Sequence, residues 1–132
     1  MKISIIIPLY NEEKTIITLL EKIKNLKCLN NKEVIVVDDF SKDNSLKLVE
    51  NYKGLKNILI LKHNKNLGKG AAIRTAQKYV NGEIVIIQDA DLEYDPNDYS
   101  RLINPIINDN FKVVYGSRVL NKKRYKAENF TS

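Results

Sequence analysis

Apolar residues along this chain fall into short runs that alternate between two periods. Ile3 to Pro8 is almost continuously apolar, the pattern of a strand covered on both faces. Ile16, Leu19, Leu20, Ile23 and Leu26 then recur at helical spacing. Asn11 is placed to cap that helix, with Glu12 and Glu13 in its first turn, where carboxylates suit the dipole. A second apolar strand, Val34 to Val37, ends abruptly in Asp38 and Asp39. Ser41 or Asp43 is the expected cap of the next helix, which turns Leu46, Val49 and Tyr52 inward. Ile58 to Leu61 is the third strand. Gly68 and Gly70 open a helix carrying Ala72, Ala76 and Val80, and Asn81-Gly82 stops it. Ile84 to Ile87 is the fourth strand. Asp95-Pro96 starts a helix through Leu102 and Ile106 that Pro105 kinks or ends, and Val113 to Tyr115 is the fifth strand.

Steady alternation of strand and helix implies an α/β layer fold with a mostly parallel sheet. Ligands of such sheets gather at the carboxyl ends of the strands, near the point where strand order reverses. The polar residues at those ends are therefore the ones to interrogate: Tyr10 to Glu12, Asp38-Asp39, Asn66 to Gly70, and Asp89 to Glu93.

Composition narrows the class. The 132 residues fit one domain, and 43% apolar residues supply a core. The formal charge of +6 is spread thinly, without an aromatic-interleaved basic stripe, so nucleic acid is not an expected partner. The densest basic cluster is Lys122, Lys123, Arg124 and Lys126, and such a run is ordinarily a solvated tail. Cys28 is the only cysteine, which excludes a disulfide framework and a cysteine metal site and fits a reducing compartment. The N-terminus runs straight into a strand without a signal-peptide pattern, and no apolar stretch approaches the roughly 18–20 residues that span a bilayer.

Three segments carry candidate chemistry. In Asp89-Ala90-Asp91-Leu92-Glu93, carboxylates at alternate positions of an extended turn converge on one side. Hard divalent cations take oxygen ligands, and Mg²⁺ commonly uses one or two carboxylates plus substrate phosphates. An isolated Asp-x-Asp also arises by chance, and an Asx turn closing a strand has the same sequence. Asp38-Asp39 at a strand end must be solvated or met by donors. One of the pair either accepts from a nucleobase or ribose or merely caps the next helix. In Asn66-Leu67-Gly68-Lys69-Gly70, glycines opening a helix leave backbone N–H groups for phosphate, with Lys69 adding charge. This is no P-loop, since His63 occupies the first glycine position and Gly70 follows the lysine; nor is it a dinucleotide fingerprint, since Ile73 stands where its last small residue belongs. His63, beside a strand end, is expected to be structural.

Taken in order and at their spacing, Ile6 to Glu13, Val37 to Ser41, Asn66 to Gly70, Asp89-Ala90-Asp91 and Tyr115-Gly116-Ser117-Arg118 resemble the successive landmarks of family-2 inverting glycosyltransferases. The Asp-Ala-Asp-Leu form followed by Tyr-Gly-Ser-Arg is most similar to the dolichyl- and polyprenyl-phosphate mannose or glucose transferases. The resemblance covers roughly residues 3 to 118. It implies a GT-A, Rossmann-like three-layer α/β/α fold over residues 1–132, truncated after the nucleotide-binding half of a longer enzyme. Pro8, Tyr10, Glu12, Val37 and Asp39 would line base and ribose. Asp89 and Ala90 would face ribose and diphosphate, Asp91 with Glu93 and Asp89 would hold Mg²⁺ or Mn²⁺, and Lys69 and Arg118 would approach phosphate. Asp89 and Asp91 are the catalytic candidates. The implied partners are a nucleoside-diphosphate sugar (GDP-mannose or UDP-glucose type) and a polyprenyl phosphate at the cytoplasmic face of a membrane. Glu93 departs from the glutamine common in that group. A saccharide-acceptor transferase of the same family and a non-catalytic nucleotide-sugar-binding module are the alternatives.

Overall fold

The computed structural model describes residues 2–26 and 31–92, Pro96, and the backbone of 113–115. The elements run β1 (Ile3–Leu9), α1 (Ile16–Lys24), β2 (Lys32–Asp38), α2 (Ser45–Asn51), β3 (Ile58–Lys62), α3 (Lys69–Gln77), β4 (Ile84–Ile87) and β5 (Val113–Tyr115). The five strands form one parallel sheet in the order β3-β2-β1-β4-β5. The helix expected from Asp95-Pro96 through Leu102 and Ile106, with its kink at Pro105, lies outside the described residues apart from buried Pro96.

Strand parity divides the core into two layers. Ile3, Ile5, Ile7 and Leu9 of β1, with Val34 and Val36 of β2 and Ile84 and Ile86 of β4, face α1 and α2. They meet the stripe Ile16, Leu19, Leu20 and Ile23 of α1 and Val49 of α2. The alternate positions Ile6, Ile35, Val37, Val85 and Ile87 face α3, whose Ala72 and Ala76 have side chains small enough for a close approach to the sheet. Parallel strands buried on both faces need apolar residues at successive positions, which is why β1, β2 and β4 are almost unbroken apolar runs.

Chain order reverses at β1: β2 and β3 lie to one side, β4 and β5 to the other. Pairing of β1 with β4 ends at Ile6↔Ile87, whereas pairing with β2 continues to Leu9↔Asp38. Ile6 O accepts from Gln88 N on the β4 side, and Leu9 O accepts from Asp39 N on the β2 side. By the period of two, the nitrogen of Pro8 faces β4, beyond the last pair on that edge. A residue with no N–H thus sits where a ladder bond would be absent anyway, and β1 and β4 part there to open a crevice.

The opposite end of the sheet is closed by a polar lock that the hydrophobic pattern does not reveal. Buried Glu33 accepts from Ser4 Oγ at 2.5 Å, from Asn81 N at 2.7 Å and from Asn81 Nδ2 at 3.3 Å, with Lys2 Nζ at 3.6 Å. Ser4 Oγ in turn accepts from Gly82 N at 2.8 Å. A Cβ on Gly82 would stand 2.5 Å from Ser4 Oγ and 2.7 Å from Ser4 N, so this close approach requires glycine. Burial pushes the Glu33 carboxyl up, but the Ser4 and Asn81 hydrogen bonds and the Lys2 charge outweigh it and hold the group below its ordinary value. Its contribution to stability is therefore complete above the unfolded value of about 4.3 and is lost as pH falls through the lower folded value. Glu33→Ala is expected to cost about 2–3 kcal/mol near neutral pH, by leaving buried donors unmet. That cost should shrink below about pH 4 in urea titrations, and a pH-independent difference would refute the charged lock.

Candidate functional site

At the crevice, a cavity of about 450 Å³ is lined from three strand ends and one helix entry. The β1 end contributes Pro8, Leu9, Tyr10 and Glu12; the β2 end contributes Asp39; the turn before α3 contributes Asn66, Gly68 and Lys69; the β4 end contributes Asp89, Ala90 and Asp91. Pro8, Tyr10, Glu12, Asp39, Lys69, Asp89, Ala90 and Asp91, all singled out from sequence, thus share one cavity. Val37 does not: its side chain is fully buried against α3, because strand parity turns it to that face. Glu93 and Arg118 lie outside the described residues, as does the basic cluster Lys122 to Lys126.

The loops that shape the cavity hold one another. Asn11 does not cap α1, whose N-cap is Thr15 and whose first turn has no acid. Its side-chain oxygen instead accepts from Lys42 N at 2.8 Å and Asp43 N at 3.4 Å, ahead of α2. Ser41 likewise does not cap α2; Asn44 is the N-cap, and Ser41 Oγ accepts from Asn11 N at 2.9 Å. Glu12 N donates to Ser45 Oγ at 2.8 Å, and Glu13 Oε2 accepts from Asn44 N at 3.0 Å. Asp43 serves both loops, accepting from Ser45 N at 2.9 Å and from Glu13 N at 3.2 Å. Asn11, Glu13 and Ser41 therefore bind the neighbouring loop rather than their own helix, whereas Asp43, the other expected cap of α2, meets the first amide of that helix as well as Glu13 N.

Each of the three strand-end turns contains one non-glycine residue at positive φ: Asn11 at 52°, Phe40 at 65° and Leu92 at 66°. Asparagine tolerates this region, whereas Phe and Leu pay roughly 1–2 kcal/mol for it. Backbone strain of this kind gathers where surrounding contacts over-determine the chain, as at ligand sites.

Asp39 is the most heavily engaged carboxylate in the cavity. Oδ1 accepts from His63 Nδ1 at 2.9 Å and Leu67 N at 2.8 Å, and Oδ2 accepts from Gly68 N at 2.8 Å. Burial raises its proton affinity, but the Leu67, His63 and Gly68 donors outweigh burial and hold it below the ordinary carboxylate range. The Gly68 N–H expected to await phosphate is thus already committed to Asp39. By helix geometry the next amides, at the start of α3, are the ones without intrahelical partners.

On the facing wall, Lys69 Nζ forms an ion pair with Asp89 Oδ1. Thr15 Oγ1, whose nearest acceptor is Ala90 O at 2.5 Å, ties the Asp89–Asp91 turn to the entry of α1. Sequence reading missed Thr15. Its position before a periodic apolar stripe signals an N-cap, but a partner 75 residues away leaves no local trace. Asp91 is exposed and Asp89 half-buried, two hard oxygen donors on one cavity. That set fits Mg²⁺ or Mn²⁺ only with phosphate or water oxygens to complete it. Among the described residues no group of three or more ligating side chains is gathered.

The model of Glycosyl transferase family 2 matches residues 4–129. Among curated proteins, the chain is 36% identical over 140 residues to the UDP-N-acetylglucosamine–dolichyl-phosphate N-acetylglucosaminyltransferase of Methanococcus voltae, covering 94% of this chain and 55% of that protein. Among solved structures, it is similar to S. aureus TarS 1–349 in complex with UDP-GlcNAc, with TM-score 0.68 and 33% identity over 83% of this chain and 32% of that one. It is also similar to the mannosyltransferase PcManGT from Pyrobaculum calidifontis in complex with GDP-Man and Mn²⁺, with TM-score 0.65 and 32% identity over 73% of this chain and 29% of that one. The chain thus spans about half the length of this curated relative and about a third of each solved chain.

Proposed function

The chain belongs to Glycosyl transferase family 2, and on that premise we propose that its cavity binds a nucleoside-diphosphate sugar whose sugar is transferred, with inversion, to a polyprenyl phosphate. Its sheet is that of the GT-A fold, as in the family's solved structures. The observation that carries the reading is the convergence of Pro8, Tyr10, Glu12, Asp39, Lys69, Asp89, Ala90 and Asp91, up to 83 positions apart (91 − 8), on one cavity at the point where strand order reverses.

In this reading Tyr10 and Glu12 meet the base and ribose beside Asp39. Asp89 and Asp91, with Glu93, would hold Mg²⁺ or Mn²⁺, which when bound would supply positive charge against the diphosphate. Lys69 balances Asp89 and adds positive charge on the phosphate side, together with Arg118. An oxygen of the acceptor phosphate forms the new bond to the anomeric carbon as the bond from that carbon to the diphosphate breaks, and the nucleoside diphosphate leaves. Phosphate is already anionic near neutral pH, so the acceptor needs no general base. No helix among the described residues is long and apolar enough to cross a membrane. The polyprenyl acceptor places the reaction at a membrane surface, and we propose the cytoplasmic one.

The test is a thermal-shift panel of GDP-mannose, UDP-glucose and UDP-N-acetylglucosamine with and without Mn²⁺. A cognate donor at a hundredfold excess over its Kd should raise stability by about 2.7 kcal/mol. No Mn²⁺-dependent shift with any of the three would reject the donor site. Donor binding without radiolabelled transfer to polyprenyl phosphate by the full-length protein would leave a binding module or a saccharide-acceptor enzyme.

A further inference from the structure

His63 follows β3, and its imidazole is buried between the end of β2 and α3. Nδ1 lies 2.9 Å from Asp39 Oδ1, and Nε2 lies 2.8 Å from Thr75 Oγ1 on α3. An ionised carboxylate only accepts, so Nδ1 carries the proton. Nε2 and the Thr75 hydroxyl then complete the ring's hydrogen bonding, since a hydroxyl can donate or accept, and the two contacts together fix the ring plane. Asp39 passes this order on through the Leu67 and Gly68 amides, and the next residue, Lys69, pairs with Asp89 across the cavity.

We propose that His63, oriented by Thr75, is a positioning residue that aims Asp39, so that its carboxylate closes the turn at Leu67 and Gly68 and fixes the part of the cavity wall that Asp39 and this turn form. Burial alone requires that both ring nitrogens find partners, whatever the role of the histidine; what points beyond packing is the identity of those partners. Here both nitrogens are matched, and the recipient of the order lines the cavity. Asparagine places an N–H donor close to the position of Nδ1 but does not reach Thr75. Leucine removes both contacts.

The proposal rests on the nucleotide-sugar reading for its binding arm only. Three variants, His63→Asn, His63→Leu and Thr75→Val, would be compared by amide hydrogen exchange at Leu67 and Gly68 without ligand, by calorimetry with UDP and GDP plus Mn²⁺, and by ¹⁵N spectra of the His63 ring. The wild-type ring should carry a proton on Nδ1, the nitrogen that faces Asp39. His63→Leu should speed exchange at both amides and weaken nucleotide binding by about tenfold or more, the scale of a hydrogen bond to a charged group. His63→Asn should restore most of both, and Thr75→Val should lose a few-fold, the scale of a neutral hydrogen bond. A folded His63→Leu with wild-type exchange overturns the proposal, as does an Asn variant as damaged as the Leu variant, or a ring protonated at Nε2 alone. If His63→Leu does not fold, unchanged exchange and ring spectra in Thr75→Val overturn it instead. If the wild type binds neither nucleotide, the proposed function fails, while exchange at Leu67 and Gly68 still decides the positioning role.

Discussion

Asp39→Ala is expected to lower folding stability by about 3 kcal/mol and nucleotide affinity by about a hundredfold, because one carboxylate does both tasks. Removing it leaves Leu67 N, Gly68 N and His63 Nδ1–H without their acceptor, a carboxylate that is itself buried. Each unmet buried donor costs about 1–3 kcal/mol, and water entering from the open side of the cavity recovers part of that sum. Affinity falls with stability because the released turn contains Gly68 and leads into Lys69, both on the cavity wall. Asp39→Asn keeps the shape but is not benign. Its carbonyl oxygen can face either the Leu67 and His63 donors or the Gly68 donor, and its amine then confronts the other set. A loss of about tenfold to a hundredfold in affinity is expected for it, the scale of charge-assisted hydrogen bonds. The sign with pH follows from the depressed carboxyl: the contribution is complete above the unfolded value of about 3.9 and disappears as pH falls through the folded one. Urea titration and calorimetry on each variant check both numbers. A stability loss with unchanged affinity would reduce Asp39 to a cap.

How much of this was legible in the sequence depends on the reach of each interaction. The strands were legible because burial on both faces forces continuous apolar runs, and the bounds of Ile84–Ile87 and Val113–Tyr115 agree with their patterns. The inward stripe of α1 was legible because its period is local. Caps failed wherever the acceptor served a different loop: Asn11 and Ser41 look like caps of the helices that follow them, yet each bonds across to the other loop. The Gly68 amide looked free because its partner, Asp39, lies 29 residues earlier. Val37 enters the expected pocket through the family resemblance alone, whereas strand parity turns its side chain to the α3 face with Ile35. For Asp39, ligand contact and capping stood as rival readings. The structure supplies the capping bonds, to the turn before α3 rather than to α2, and puts the same carboxylate on the cavity.

Asp91→Ala should weaken nucleotide-sugar binding only when the metal is present, and that makes it the sharper test of the β4 turn. Asp91 is exposed at the strand end and is not among the buried core residues, so folding stability should stay within about 0.5 kcal/mol of wild type. In the presence of Mn²⁺, nucleotide-sugar affinity should fall by about a hundredfold or more, since losing even the outer partners of metal ligands costs about 10–100-fold. Without metal the same carboxylate faces a diphosphate of like charge, and its removal should leave affinity equal or somewhat improved. Asp89→Ala is the informative contrast. It also releases Lys69 from its ion pair, so metal-free binding of the diphosphate should improve more there than in Asp91→Ala. Calorimetry with UDP and GDP, each with Mn²⁺ and with a chelator, separates the cases. If Asp91→Ala retains the full Mn²⁺ increment, Asp91 is not a metal ligand; if it weakens binding equally with and without metal, its role is a direct contact to the nucleotide.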